Sequence, residues 1–158
     1  MSTPPTHSLK LWIDADACPA AIKDVLFRVA ERRRIITTLV ANQSIAIPRS
    51  KYVERVTVRD GADVADRAIV ELMQPGDVVI TGDIPLAALV VEKTGVALSP
   101  RGELYDENNV HERLASRNLM EQFRSAGMET SGPKPLNQRD VQEFSNQLDR
   151  LLTRLLRK

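Results

Sequence analysis

Cysteine is almost absent from this chain of 158 residues. Cys18 stands alone, so no intramolecular disulfide framework can form, and a reducing compartment is the better fit. Long apolar runs are missing as well. None approaches the roughly 18 residues that a membrane helix needs, and Met1 to Ser8 is polar and Pro-bearing, without the charged start and apolar stretch of a secretory signal. The expectation is a cytoplasmic protein with no membrane association and a short disordered start at residues 1–8. A third absence is any excess of charge. Lys plus Arg number 22 against 21 Asp plus Glu, for a formal net charge of +1, so no global field steers the chain onto nucleic acid. Local basic density exists in Arg32-Arg33-Arg34 and in the loop that carries Arg49, Lys51, Arg55 and Arg59, which read most simply as a solvated helix end and a solvated loop. No internal repeat occurs at solenoid periods.

What is present is ordinary for a globular domain: 42% hydrophobic and 27% charged residues. At this length one domain buries roughly two-thirds of the surface that the unfolded chain exposes, and residues 9–158 are read as that single domain. Leu9 to Ile13 is a short apolar strand that runs straight into Asp-Ala-Asp-Ala-Cys-Pro. There Asp16 can cap a helix and Pro19 fits its first turn. Ile22, Val25, Leu26, Val29 and Ala30 recur at helical spacing up to the arginine run. Ile35 to Ala41 reads as a second strand buried on both faces, and Val53, Val56 and Val58 as a short third. The spacing predicts a helix over Asp63 to Met73, closed by Pro75-Gly76. Val78 to Thr81 then makes a fourth strand, and Gly82-Asp83-Ile84-Pro85 repeats the strand-to-helix idiom before a helix through Leu86 to Glu92. Val96 to Leu98 is a brief fifth strand.

Alternating strands and helices of this kind argue a mostly parallel sheet with right-handed crossovers and helices on both faces. Beyond it, Arg101 to Tyr105 reads as a loop and Asn109 to Ala126 as an amphipathic helix. Gly127 to Leu136 is the best linker in the chain. The final helix opens on the capping pattern Asn137-Gln138-Arg139-Asp140. Its stripe of Val141, Phe144, Leu148, Leu151, Leu152 and Leu155 must be buried, against the body or against a second copy in a homodimer, with the body favoured.

Five aspartates stand where chemistry is expected. In open parallel sheets, ligands bind outside the carboxyl ends of the strands, near the point where strand order reverses. Asp14 and Asp16 follow the first strand and Asp83 the fourth, so they meet if those strands are neighbours. Asp63 and Asp66, three apart at a helix start, share one side of that helix and can overhang the same edge. Crowded carboxylates disfavour one another's ionisation unless a cation sits between them, and all-oxygen ligands suit Mg²⁺ or Mn²⁺. The bland account is that Asp is favoured at caps and turns regardless of chemistry. It weighs most on Asp63 and Asp83 taken singly and least on the conjunction of all five. Asn42, at the end of the second strand, and Arg101, whose guanidinium would match phosphate oxygens, are the candidate substrate contacts. Cys18 could act as a nucleophile beside a helix start, but neither His7 nor His111 is an obvious base for it.

Leu-Trp-Ile-Asp-Ala-Asp-Ala-Cys-Pro (11 to 19), Val-Ala-Asn (40 to 42), Asp-Val-Ala-Asp (63 to 66), Val-Ile-Thr-Gly-Asp-Ile-Pro-Leu-Ala (79 to 87), Pro-Arg-Gly-Glu-Leu-Tyr (100 to 105) and Ser-Gly-Pro (131 to 133) together resemble the bacterial YaiI/YqxD family, over nearly the whole chain from Leu9 to about Leu152. That family is itself uncharacterised. It is similar in turn to PIN-like domains, metal-dependent nucleases built as an α/β/α sandwich around an acidic site. The resemblance implies that fold, with Asp14, Asp63 or Asp66, and Asp83 as metal ligands.

The leading expectation is a nuclease dependent on Mg²⁺ or Mn²⁺, acting on RNA, in which Asp14, Asp16, Asp63, Asp66 and Asp83 supply ligands and position water. A second reading makes Asp14 the nucleophile and Asp16 the acid of a haloacid-dehalogenase-like phosphatase, with Thr81 in support. Gly82-Asp83 is followed by Ile-Pro-Leu-Ala, which leaves that family's last acidic motif incomplete. A third reading is a non-catalytic binding or scaffold protein with an acidic pocket.

Overall fold

The computed structural model describes residues 8–61, 63–128 and 135–157. Leu11–Asp14 forms strand β1, buried along its whole length, as an apolar run covered on both faces should be. After a 3-10 turn at Ala15–Ala17, helix α1 (Ala20–Arg33) buries the side that the apolar spacing marks out. There follow β2 (Thr37–Ala41), β3 (Val53–Thr57), α2 (Val64–Leu72), β4 (Val78–Ile80), α3 (Ile84–Glu92), β5 (Val96–Leu98), β6 (Leu104–Tyr105), α4 (Val110–Ser125) and α5 (Gln138–Leu156).

The strands make one sheet in the order β3-β2-β1-β4-β5-β6, parallel except at β6. From central β1 the chain steps outward through β2 and β3. It then returns to the other flank of β1 as β4 and steps outward the opposite way. Right-handed crossovers that travel in opposite directions fall on opposite faces of a sheet, so α1 and α3 lie on different sides. The core divides accordingly. One cluster joins Leu11, Ile13, Leu39 and Ile80 to α1 and α5. The other joins Trp12, Val40 and Val79 to Ile69 of α2 and to Leu86 and Val90 of α3. The result is the three-layer α/β/α arrangement with a mostly parallel sheet that the sequence predicts.

The C-terminal helix starts as expected. Asn137 Oδ1 accepts from the Asp140 N–H at 2.9 Å while Asp140 Oδ2 accepts from the Asn137 N–H at 3.1 Å, a complete capping box. Its stripe packs on the body: Phe144, Leu148, Leu151 and Leu152 are buried against α1 and the sheet. Burial of each such side chain contributes roughly 1.5–3 kcal/mol.

Two local expectations are corrected. The stretch from Arg101 to Tyr105, expected as loop, ends in β6, which pairs antiparallel with β5 through Ala97↔Tyr105 and Leu98↔Leu104. A strand of two residues is too short to carry a periodicity. The expected Asp16 cap does not form either: Pro19 is itself the N-cap of α1, no side chain caps that helix, and Asp16 lies in the preceding 3-10 turn. Most of the expected disordered start and most of the Gly127–Leu136 linker lie outside the described residues. Among the described residues, no helix is long and apolar enough to cross a membrane.

Candidate functional site

Side chains alternate across a strand. Trp12 belongs to the α2/α3 side of the sheet, so Asp14, two residues on, projects to that side at the carboxyl end of β1. Strand β4 lies against β1 in the register Leu11↔Val78, Trp12↔Val79 and Ile13↔Ile80, which carries Thr81 level with Asp14 just past the ladder. Strand order reverses between β1 and β4. The adjacency on which the sequence argument depended is therefore met, and the acids stand at the switch point where open parallel sheets bind ligands.

Three carboxyls converge there. Asp14 is 4% exposed, and its Oδ2 accepts a hydrogen bond from the Thr81 hydroxyl at 2.8 Å. The same hydroxyl oxygen accepts from the Asp83 N–H at 2.9 Å, so Thr81 ties the end of β1 to the start of α3. Asp83 Oδ1 accepts from the Leu86 N–H at 3.2 Å and caps α3. Asp66, in the first turn of α2, shares a hydrogen bond with the Asp83 carboxyl. Burial pushes the Asp66 carboxyl up to about 7, helped by the charges of Asp83, Asp14 and Asp63. Burial also raises Asp14, opposed by the Thr81 hydroxyl and reinforced by Asp83 and Asp16. The electrostatic signature is that of acids gathered closer than they can all comfortably ionise.

The other predicted residues sit around this trio. Asp63 precedes α2 in the left-handed region (φ 65°) and makes no side-chain cap bond, so capping does not account for it. Asp16 is exposed on the β2 flank, where its Oδ2 accepts from the Asn42 N–H at 3.4 Å. That contact brings Asn42 to the rim through its backbone. Arg101 lies in the β5–β6 turn, which borders the site: a Cβ on Gly82 would stand 3.7 Å from the Ala17 carbonyl oxygen and 3.8 Å from Pro100 Cδ. Its guanidinium is 3.7 Å from Asp140 at the start of α5. Cys18 is buried and its thiol is pushed up to about 12, chiefly by burial, so it is no ready thiolate. His111 is exposed on α4.

Two residues escape the sequence reading of the site. Thr81 enters it only as a helper in the phosphatase scheme, although its hydroxyl bridges the two firmest acids. Ser99 is not singled out at all, yet its buried hydroxyl accepts from the N–H groups of Arg101 and Glu103 and shapes the turn that carries Arg101. A small hydroxyl at the end of a buried strand gives no pattern by which it could be found.

The chain matches the family model described as "Uncharacterized BCR, YaiI/YqxD family" over residues 12–154. A UPF0178 protein of Dechloromonas aromatica is 53% identical over 147 residues, which cover 93% of this chain and 98% of that one. The UPF0178 protein DP1304 of Desulfotalea psychrophila is 52% identical over 147 residues, 93% and 99% of the two chains. A UPF0178 protein of Shewanella amazonensis is 54% identical over the same length, again 93% and 99%. No solved structure matches. With its length, motifs and relatives in agreement, the chain belongs to the uncharacterised bacterial YaiI/YqxD family.

Proposed function

We propose that this protein is a divalent-metal-dependent phosphodiesterase acting on RNA, with its centre at the β1/β4 switch point. The observation that carries the reading is the convergence of Asp14, Asp66 and Asp83, with the Asp66 carboxyl raised to about 7 by burial and by its acidic neighbours. Among the described residues, no three His, Cys, Asp or Glu side chains form a ready-made metal cage. The donor set nonetheless fits Mg²⁺ or Mn²⁺, which are held by one or two carboxylates together with water and substrate phosphates. Asp14, Asp66 and Asp83 would hold the ion, with Asp63 and Asp16 flanking it. When bound, such an ion polarises a phosphoryl oxygen and lowers the pKa of water. The chain's own residues supply the rest. Thr81 fixes one oxygen of Asp14 and leaves the other to the site; Asp83 is held by the α3 cap; Asn42 and Arg101 border the rim where a substrate would enter. The resemblance of the sequence motifs to PIN-like nucleases points the same way, as an analogy of fold.

The phosphatase alternative needs Asp14 as an accessible nucleophile. Asp14 is buried, and one of its oxygens is engaged by Thr81, which favours a positioning or ligand role instead. Calorimetric titration with Mn²⁺ tests the proposal. Wild type should bind, Asp14→Asn should not, and RNA should be cleaved in preference to DNA and phosphomonoesters. Equal affinity in Asp14→Asn would remove the site assignment. Metal binding with no turnover on any of these substrates would favour the non-catalytic reading.

A further inference from the structure

On the face of the sheet turned away from Asp14, a cavity of about 260 Å³ opens between α5 and the edge strands β5 and β6. It is lined by Leu98, Leu104, Gln147, Arg150, Leu151 and Arg154. Leu98 and Leu151 belong to the core cluster on the α1/α5 side, and Leu104 packs against it, so the floor is apolar. The β5–β6 turn rests on α5 beside the cavity: a Cβ on Gly102 would stand 3.3 Å from Gln147 Cγ and 3.6 Å from the Glu143 carbonyl oxygen.

The lining carries two positive charges and no negative one. Arg150 and Arg154 are exposed one helical turn apart, and among the described residues neither makes a side-chain hydrogen bond or ion pair. Like charges at this spacing repel each other, and an anion between them removes the repulsion. The acids nearby are engaged elsewhere or do not reach them. Glu143 accepts from Gln147 Nε2 at 3.1 Å, and Asp149 is held by Arg33 at 2.5 Å. Arg154 also borders a second cavity, which Asp106 and Glu107 line. Asp106 there accepts from the N–H groups of Asn108 and Asn109, and Glu107 makes no ion pair with Arg154.

We infer that the α5/β6 cavity binds a small phosphate monoester, its phosphate held by Arg150 and Arg154 and its apolar organic group seated on Leu98, Leu104 and Leu151. A phosphate monoester carries a charge of about −2 near neutral pH and balances both guanidinium groups, each of which matches its oxygens bidentately. A monocarboxylate balances only one. The organic group gains by leaving water on the leucine floor. Sites for drug-sized ligands begin at about 300 Å³, so the group that fits here is a single ring or a short chain. The site shares no residue with the carboxylate centre and does not depend on the function proposed for it.

The test uses the full chain with methyl-labelled Leu in buffer containing EDTA, so that the carboxylate centre holds no cation and repels anions. Phenyl phosphate, inorganic phosphate and benzoate are titrated separately. Phenyl phosphate should shift the Leu98, Leu104 and Leu151 methyl signals and bind about fivefold or more tightly than either of the other two. Arg150→Gln and Arg154→Gln, both at exposed positions, should each weaken it about tenfold. Arg139→Gln, at an exposed arginine in the first turn of the same helix, should leave it unchanged. No shift of these methyls at millimolar phenyl phosphate, or equal weakening by all three substitutions, would overturn the site. Inorganic phosphate binding as tightly would overturn the apolar half of the assignment, and benzoate binding as tightly would overturn the phosphate half.

Discussion

Replacing Asp66 by asparagine should make the metal-free protein more stable at pH 8 while weakening its hold on divalent cations. The Asp66 carboxyl moves from 3.8 to about 7 on folding, because burial and the charges of Asp83, Asp14 and Asp63 disfavour its ionised form. Well below 3.8 the folded and unfolded chains are both protonated at this position, and at pH 4 the difference between them is still small. Between pH 4 and about 7 the unfolded chain has ionised and the folded one has not, so the folded state binds more protons and stability falls as pH rises. Above about 7 the loss is complete. The full shift corresponds to about 4 kcal/mol; Asp66 is only half-buried, and solvent screening reduces this to about 2 kcal/mol. Asparagine keeps a hydrogen-bonding partner for Asp83 without the charge. For a domain of this size, about 2 kcal/mol raises Tm by about 4–8 °C. Thermal unfolding at pH 4 and pH 8, with and without Mn²⁺, is the assay. The variant should match the wild type at pH 4 and exceed it at pH 8, with a shallower fall because only the Asp14 contribution remains. Mn²⁺ at about 100 times its Kd should restore about 2.7 kcal/mol to the wild type and less to the variant. A variant less stable than wild type at pH 8, or one with an unchanged pH dependence, would refute the argument.

Thr81→Val removes the hydroxyl that serves both Asp14 and the Asp83 N–H and should cost about 1–3 kcal/mol in urea denaturation. Mn²⁺ affinity should drop with it, and Thr81→Ser should restore both. Asp77→Ala strands three donors, the Lys10 and Gln74 N–H groups and the Trp12 indole, and should cost about 3 kcal/mol. Since Trp12 is the sole tryptophan, its emission reports the change, and Mn²⁺ affinity should be retained because Asp77 lies at the opposite end of β4. Gly95→Ala would drive a Cβ into Met73 and to 2.9 Å from Val90 Cγ1. It should lower the urea midpoint by the equivalent of about 1–3 kcal/mol without moving the metal titration.

Local rules determined much of this protein from its sequence. The buried runs around Ile13 and Leu39 had to be strands covered on both faces, the spacing from Ile22 to Ala30 had to be a helix, and Asn137 with Asp140 had to start another. Each depends on residues within a turn or two of one another. Asp14 was legible as a candidate because a carboxylate ending a buried strand has few structural uses, whereas Asp83 also serves as the cap of α3. Other features were settled by contacts between segments far apart in the chain. That β4 lies beside β1, and not beyond β3, follows from the direction of a long crossover and from packing of α2 on the returning face. Only that adjacency joins Asp14 to Thr81 and Asp83. The same packing carries Asp66 onto Asp83, moves Asp16 to the flank beside Asn42, and directs Arg101 toward Asp140. It also hides the role of Asp77, which accepts from the Lys10 and Gln74 N–H groups and the Trp12 indole, at the start of β1 and just past the end of α2. A residue's own neighbours decide whether it can be a strand end or a cap. Its charge state and partners depend on which surfaces the whole core brings together, and those surfaces exist only once the sheet has chosen its strand order.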